Sequence, residues 1–170
     1  ALSCWGSGAV GVANTAPSTA AHLDLYSRHA CVVNTGGLNI SCWGNDDSGQ
    51  ATNQFGIFSA VAVGTDHSCA LGITGQLSTC WGDDTYGQAT NMPSGFYGEL
   101  SSGNNHLCAK SNVSDTYTCW GSDSDGQVSG PDGQDFQELG LGDDFSCGLK
   151  LDGSLVCWGS DSFGVISELP

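Results

Sequence analysis

Gly64-Thr-Asp-His-Ser-Cys-Ala-Leu71, followed by Cys80-Trp-Gly-Asp-Asp-Thr-Tyr-Gly-Gln88, decides the fold, because variants of it return along the whole chain. Cys-Trp-Gly occurs five times, with its tryptophan at Trp5, Trp43, Trp81, Trp120 and Trp158, in steps of 38, 38, 39 and 38 residues. Ahead of the last four copies stand Cys31, Cys69, Cys108 and Cys147, separated from the next Cys-Trp-Gly by 11, 11, 11 and 10 residues. Chance does not hold two registers over four periods. A repeat of this length signals small units that stack to bury a shared core.

Each period has the same internal order. Cys-Trp-Gly leads into an Asp/Ser/Gly turn ending in Gly49-Gln50, Gly87-Gln88, Gly126-Gln127 or Gly164-Val165. A polar loop follows, then an apolar stretch such as Phe58-Ser-Ala-Val-Ala-Val63, a Gly/Asp/Asn turn, and a strand such as His67-Ser-Cys-Ala-Leu71. A hairpin tip then returns the chain into the next Cys-Trp-Gly. Alternating apolar positions between turn residues predict three or four short antiparallel strands per unit. Units with a tryptophan each and no core of their own predict an all-β, propeller-type array, the tryptophans filling the seams between blades.

The cysteine spacing fits a hairpin. A three-residue loop at Leu151-Asp152-Gly153 sets Cys147 opposite Cys157, and a four-residue loop at Ile73-Thr-Gly-Gln76 sets Cys69 opposite Cys80. Directly opposed residues lie about 4.5–5.5 Å apart, within disulfide reach. The expected bonds are Cys31–Cys42, Cys69–Cys80, Cys108–Cys119 and Cys147–Cys157. The competing reading is metal ligation by His29, His67 and His106, each two residues before a cysteine. The fourth unit carries Phe145 in that slot while keeping the cysteine spacing, so the histidines are read as blade-core residues and no metal is expected there.

Composition narrows the function. Eighteen acidic residues against three basic ones give a net charge of −15, which excludes the counterion-displacing chemistry of a nucleic-acid binder and a polybasic membrane surface. No apolar run reaches the length of a membrane span. Fifteen of the acids are Asp, a turn former, and 26 residues are Gly, so helices are not expected. Nine cysteines point to an oxidising compartment.

At this point Gly-x-x-His-x-Cys followed by Cys-Trp-Gly, repeated, resembles the repeat of the regulator-of-chromosome-condensation superfamily, which includes the type II β-lactamase-inhibitor protein. The paired cysteines are most similar to its secreted branch, such as Crinkly-type receptor ectodomains. The resemblance implies a β-propeller, commonly of seven blades. Seven blades at this period need far more than 170 residues, so the chain is expected to hold part of a larger propeller. The nuclear members' action on a small GTPase and chromatin does not suit an acidic, cysteine-rich chain. Fold carries over; those functions do not.

The expected organisation is one propeller-repeat domain over 1–170, with repeats beginning at Cys4, Cys42, Cys80 and Cys119, a partial one from Cys157, and both termini cut within a blade. Cys4 is the odd cysteine, with its partner expected outside this segment, in more of a parent chain or in a neighbouring subunit of a fibre.

No nucleophile elbow, His-Glu-x-x-His or phosphate loop is present. The acids Asp46, Asp47, Asp83, Asp84, Asp123, Asp125 and Asp161 recur at the turn after Cys-Trp-Gly, where turn formation alone would place them. Asp123 and Asp125 come nearest to a calcium loop, without its first-position Asp and terminal Glu. Two glycosylation sequons begin at Asn39 and Asn112, the latter at a hairpin tip, and Thr15–Ala21 reads as a mucin-like loop or a plain linker. The leading function is a non-enzymatic extracellular module for structure or protein interaction in a surface or fibre-forming glycoprotein. The alternative, an inhibitor-like or ligand-binding propeller, needs exposed aromatics on one rim, for which Tyr86, Phe96, Tyr97 and Phe163 are the candidates. A glycan-acting hydrolase, needing paired carboxylates in a central cleft, ranks third.

Overall fold

The computed structural model describes residues 19–36, 39–130 and 135–168. They form thirteen strands and, among the described residues, no helix. β1 (Ala20–Tyr26), β2 (His29–Asn34), β3 (Asn39–Gly44) and β4 (Gln54–Phe55) make the first sheet, in that order. The second is β5 (Phe58–Val63), β6 (His67–Gly72) and β7 (Leu77–Gly82). The third holds β8 (Tyr97–Ser102), β9 (His106–Ser111) and β10 (Tyr117–Gly121), and the fourth β11 (Phe136–Leu141), β12 (Phe145–Lys150) and β13 (Leu155–Gly159). Every pairing is antiparallel between chain neighbours. Cys-Trp-Gly therefore closes the third strand of each sheet, and Ala20-Ala21 open β1 instead of continuing a linker; residues 15–18 of the Thr15–Ala21 stretch lie outside the described residues.

The middle strands of the first three sheets are buried along most of their length, as in β6, where all six residues are buried, whereas β12 of the fourth buries only Ser146 and Gly148. A strand covered on both faces loses the polar alternation of a half-exposed one. Its sheet is packed between two others, and the apolar clusters sit between sheets. Cys31, Val33 and Ile40 of the first sheet meet Phe58, Val61 and Ala70 of the second. Cys69 and Leu71 meet Tyr97, Leu107 and Trp120 of the third, and Cys108 meets Phe136, Leu139 and Trp158 of the fourth. The first strands are innermost: β1 lies against β5, β5 against β8 and β8 against β11. The Tyr26 hydroxyl donates to Asp143, so the first and fourth sheets also meet.

Two details depart from the sequence reading. Each innermost strand slips register once near its start, between Ala20 and His22, Phe58 and Ala60, Tyr97 and Glu99, and Phe136 and Glu138. Such a bulge sharpens strand twist. The Cys69–Cys80 hairpin does not use a four-residue loop. Gly72 N–H bonds the Gln76 carbonyl, leaving three loop residues, and the extra residue is absorbed by a slip between Ala70 and Leu71. Gly75, at φ +79°, occupies the left-handed position that a three-residue hairpin loop demands. The Cys108–Cys119 hairpin, without a glycine there, keeps four loop residues between Ser111 and Thr116.

Candidate functional site

The cysteines stand directly opposite one another in their hairpins, with Cα atoms 4.0–4.1 Å apart, and are joined as Cys31–Cys42, Cys69–Cys80, Cys108–Cys119 and Cys147–Cys157. Cys4 and Trp5 lie outside the described residues.

The seams are built from a repeating polar set. His29 Nε2 lies 2.9 Å from Ser68 Oγ of the next sheet, and His106 Nε2 lies 3.0 Å from Ser146 Oγ. Each serine hydroxyl donates to a glutamine carbonyl, Ser68 to Gln50 and Ser146 to Gln127, and so accepts from the imidazole N–H. The third sheet has Leu107 in the serine's place. There Ser102, at the end of β8, takes over: its Oγ lies 3.1 Å from His67 Nε2. The seam thus keeps its hydroxyl although the repeat has lost the serine. In all three histidines Nδ1 is buried without a hydrogen bond among the described residues. Burial, the largest influence on each, lowers their pKa values to about 4.

The same glutamine carbonyls receive the next sheet's tryptophan: Trp81 Nε1 donates to Gln50 O at 2.9 Å, Trp120 to Gln88 O at 3.0 Å and Trp158 to Gln127 O at 2.9 Å. Gln50, Gln88 and Gln127 are fully buried, and their Oε1 atoms accept the backbone N–H groups of Ser48, Tyr86 and Asp125. The sequence shows these glutamines only as turn ends. Their recurrence after a glycine at positive φ was the available signal, since a buried amide needs a fixed set of partners.

Asp84 and Asp161 cap their turns by accepting backbone N–H groups five and six residues on, and these bonds hold both carboxyls below the usual range, the Thr90 hydroxyl leading for Asp84 and Ser167 for Asp161. Asp123 does the same with Val128 and Ser129; burial pulls its carboxyl upward but the Ser129 and Val128 bonds outweigh it. The calcium candidate Asp123 is thus occupied as a turn cap, and Asp125 accepts from the Ser124 hydroxyl.

The innermost strands, with Lys110 of β9, line an open cleft of about 730 Å³ whose walls include His22, Ser59, Glu99 and Glu138. Glu99 and Glu138 come together here, outside the turns where the sequence concentrates acid. Glu99 accepts the Tyr117 hydroxyl at 2.9 Å, and Lys110 Nζ donates to the Gln137 carbonyl at 3.2 Å.

The two rims differ. Strand direction puts the turns after Cys-Trp-Gly, with Asp46, Asp47, Asp83, Asp84, Asp123, Asp125 and Asp161, on one rim. The hairpin tips lie on the other, where exposed Phe55, Ile57, Ile73, Phe96 and Val113 follow one another across three sheets. They are linked through the backbone: Ile73 N–H bonds Ile57 O, Gln76 pairs with Phe96, and Asn112 N–H bonds Phe96 O. The four candidate aromatics therefore do not share a rim. Tyr86 and Phe163 sit on the aspartate rim and Phe96 on the hairpin rim, while Tyr97 is only 4% exposed, because it packs into the seam against Leu71 and Leu107. Of the sequons, Asn112 is exposed at a tip, whereas Asn39 begins β3, pairs with Phe55 and is half-buried.

Residues 58–88 and 137–165 match the model of the Regulator of chromosome condensation (RCC1) repeat. No curated protein matches the chain in sequence. Among solved structures, the entire ectodomain of the receptor kinase CR4 from Physcomitrella patens is 28% identical with a TM-score of 0.69, over 81% of this chain and 40% of that one. The CRINKLY WD40 ectodomain of the receptor kinase ACR4 from Arabidopsis thaliana is 24% identical with a TM-score of 0.68, over 87% and 52%. Prp20p from Saccharomyces cerevisiae, at 18% identity and a TM-score of 0.65, shares the fold over 84% and 45%. This chain thus spans about half or less of each of these chains. Its sheets are propeller-type blades closed by disulfides, and residues 58–88 and 137–165 carry RCC1-type repeats.

Proposed function

We propose that the chain is a non-enzymatic extracellular interaction module of a cell-surface or fibre-forming glycoprotein, and that it docks a protein partner through its hairpin rim. The carrying observation is the run of exposed Phe55, Ile57, Ile73, Phe96 and Val113, with Phe55 85% exposed. Contiguous exposed apolar surface on a soluble fold is a mark of a docking site. Four disulfides and similarity to receptor-kinase ectodomains support the extracellular setting. The inhibitor-like reading is weaker because its aromatics are divided between the rims.

The test is proximity crosslinking of the chain in its natural extracellular setting, comparing it with a Phe55→Asp/Ile73→Asp/Phe96→Asp variant and a Tyr86→Asp/Phe163→Asp variant. Partners kept by the wild type and the second variant but lost from the first support the hairpin rim. Loss only in the second variant moves the contact to the aspartate rim. Sustained turnover of a glycan substrate overturns the non-enzymatic reading.

A further inference from the structure

Three of the seams contain a buried titratable group for which packing alone gives no use. His29, His67 and His106 each bridge to the following blade through Nε2. Their acceptors are themselves committed as donors: Ser68 to Gln50, Ser146 to Gln127 and Ser102 to the Gly103 carbonyl. The proton must therefore sit on Nε2, and Nδ1 is left as a bare lone pair, buried and without a hydrogen bond among the described residues. A second proton could go only to Nδ1, where it would create a buried cation, helped at His29 alone by a bond to the Thr65 backbone, a costly arrangement in a protein interior.

We propose that the three histidines form an acid-labile clasp between blades: protonation at Nδ1 opens the seams, and the blades separate as units still closed by their disulfides. The groups around them do not offset the cost. Asp66, Asp46 and the Thr65 backbone favour charge on His29, and Arg28 opposes it. Asp83 favours charge on His67, while His29 and His106 oppose it; Asp123 favours charge on His106. Burial outweighs them all and holds each imidazole neutral down to about pH 4. In a separated blade each would bind a proton near its ordinary 6.5, so the open form takes up more protons. The seams are then at full strength above pH 6.5 and weaken steadily as pH falls toward 4, on the order of a hundredfold per seam. Charge on His29 or His106 opposes charge on His67, so a second protonation is costlier still while the seams stay closed. The fourth blade shows the pH-insensitive alternative: Phe145 fills the same slot, folded over Gly142 as His67 is over Gly64.

The test uses the whole chain with disulfides intact. Histidine ring resonances are followed by NMR from pH 8 to 3.5, together with the indole N–H signals of Trp81, Trp120 and Trp158, whose bonds cross the seams. Three imidazole midpoints near 4, with loss of the seam indole signals in the same range and no free thiol, is the expected result. In parallel, the urea midpoint is measured from pH 7 to 4.5 for the wild type, His67→Phe and the triple His→Phe variant, which keep every carboxylate. The wild type is expected to lose stability across that range more steeply than His67→Phe, and the triple variant least of all. Imidazole midpoints between 6 and 7 overturn the proposal, as do indole signals that persist through the histidine titration. Equal pH dependence in wild type and His67→Phe overturns it too, since the carboxylates would then carry the effect. The NMR titration decides the matter even if the triple variant does not fold.

Discussion

Gly103 has an ordinary φ, so conformational freedom does not explain why a glycine stands three residues before His106. A Cβ there would fall 2.4 Å from both the Gly142 carbonyl and His106 Cε1. The same holds at Gly64, where His67 Cε1 would be 2.1 Å away and Gly103 O 2.8 Å. The spacing Gly-x-x-His thus lets the imidazole fold back over its own turn while the next blade's backbone closes in from the other side. Gly103→Ala is expected to cost about 2–3 kcal/mol by overpacking, and Gly126→Ala, where nothing lies within 4 Å but φ is +80°, about 1–2 kcal/mol from backbone strain. Urea unfolding of the two variants ranks them. Gln88→Ala is a companion case. It removes a fully buried amide that accepts the Tyr86 N–H and donates to Asp83, and is expected to cost about 1–3 kcal/mol by leaving those groups unmatched.

At the scale of the strand and hairpin, the four disulfides close loops of similar length but differ in cover. Cys31, Cys69 and Cys108 are fully buried, each facing the next blade, whereas Cys147 and Cys157 are both half-buried. A reductant must reach the sulfur, so stepwise reduction with alkylation is expected to label Cys147 and Cys157 first; first labelling of Cys69 or Cys80 would contradict the burial order. The hairpins were legible in the sequence because cysteine spacing, turn residues and strand alternation all report local geometry. What was illegible is relational. The Ser102 substitute for the missing hydroxyl of the third blade lies five residues before Leu107, in another strand, and only the folded seam shows that His67 needs it. The bulges at the start of the innermost strands fall on Ala21, Ser59, Gly98 and Gln137, which share no residue type that would announce them. The burial of Tyr97 depends on Leu71 of the preceding blade, a contact that periodicity within one unit does not reveal. The glutamines fall between: their recurrence is visible, but their full burial is not.

Across the described residues, acid concentrates on one rim and a contiguous apolar row on the other because a propeller's chain alternates between two rims, with Tyr86 and Phe163 on the aspartate rim and Asp115 and Asp152 at hairpin tips as exceptions. Among the described residues each Cys-Trp-Gly delivers the chain to the aspartate rim and each Cys–Cys hairpin leads to the other, so composition at one repeat position shapes a face. The sequon at Asn112 lies on the apolar rim, next to Val113 and bonded through its backbone to Phe96. Its amide packs over Gly98 and Gly75, either of which would collide with it if it carried a side chain, so the asparagine has a seat made for it. A glycan there would project beside Phe96 and cover part of the docking row, leaving Phe55, Ile57 and Ile73 as the open part. Asn39 is the poorer acceptor, since it is half-buried in β3 and its sequon serine accepts the Asn34 amide at 3.0 Å. Intact-mass and peptide mapping of protein from its natural source is expected to find glycan on Asn112 and none on Asn39. Ser114→Ala removes the acceptor sequence while sparing Asn112, losing only an exposed hydroxyl contact to Thr116. If the glycan shields the rim, Ser114→Ala and enzymatic deglycosylation will each raise the fluorescence of an apolar-surface dye, and adding Phe96→Asp will abolish the increase. A dye signal unchanged by glycan removal would mean that the sugar points away and the whole row is open to its partner.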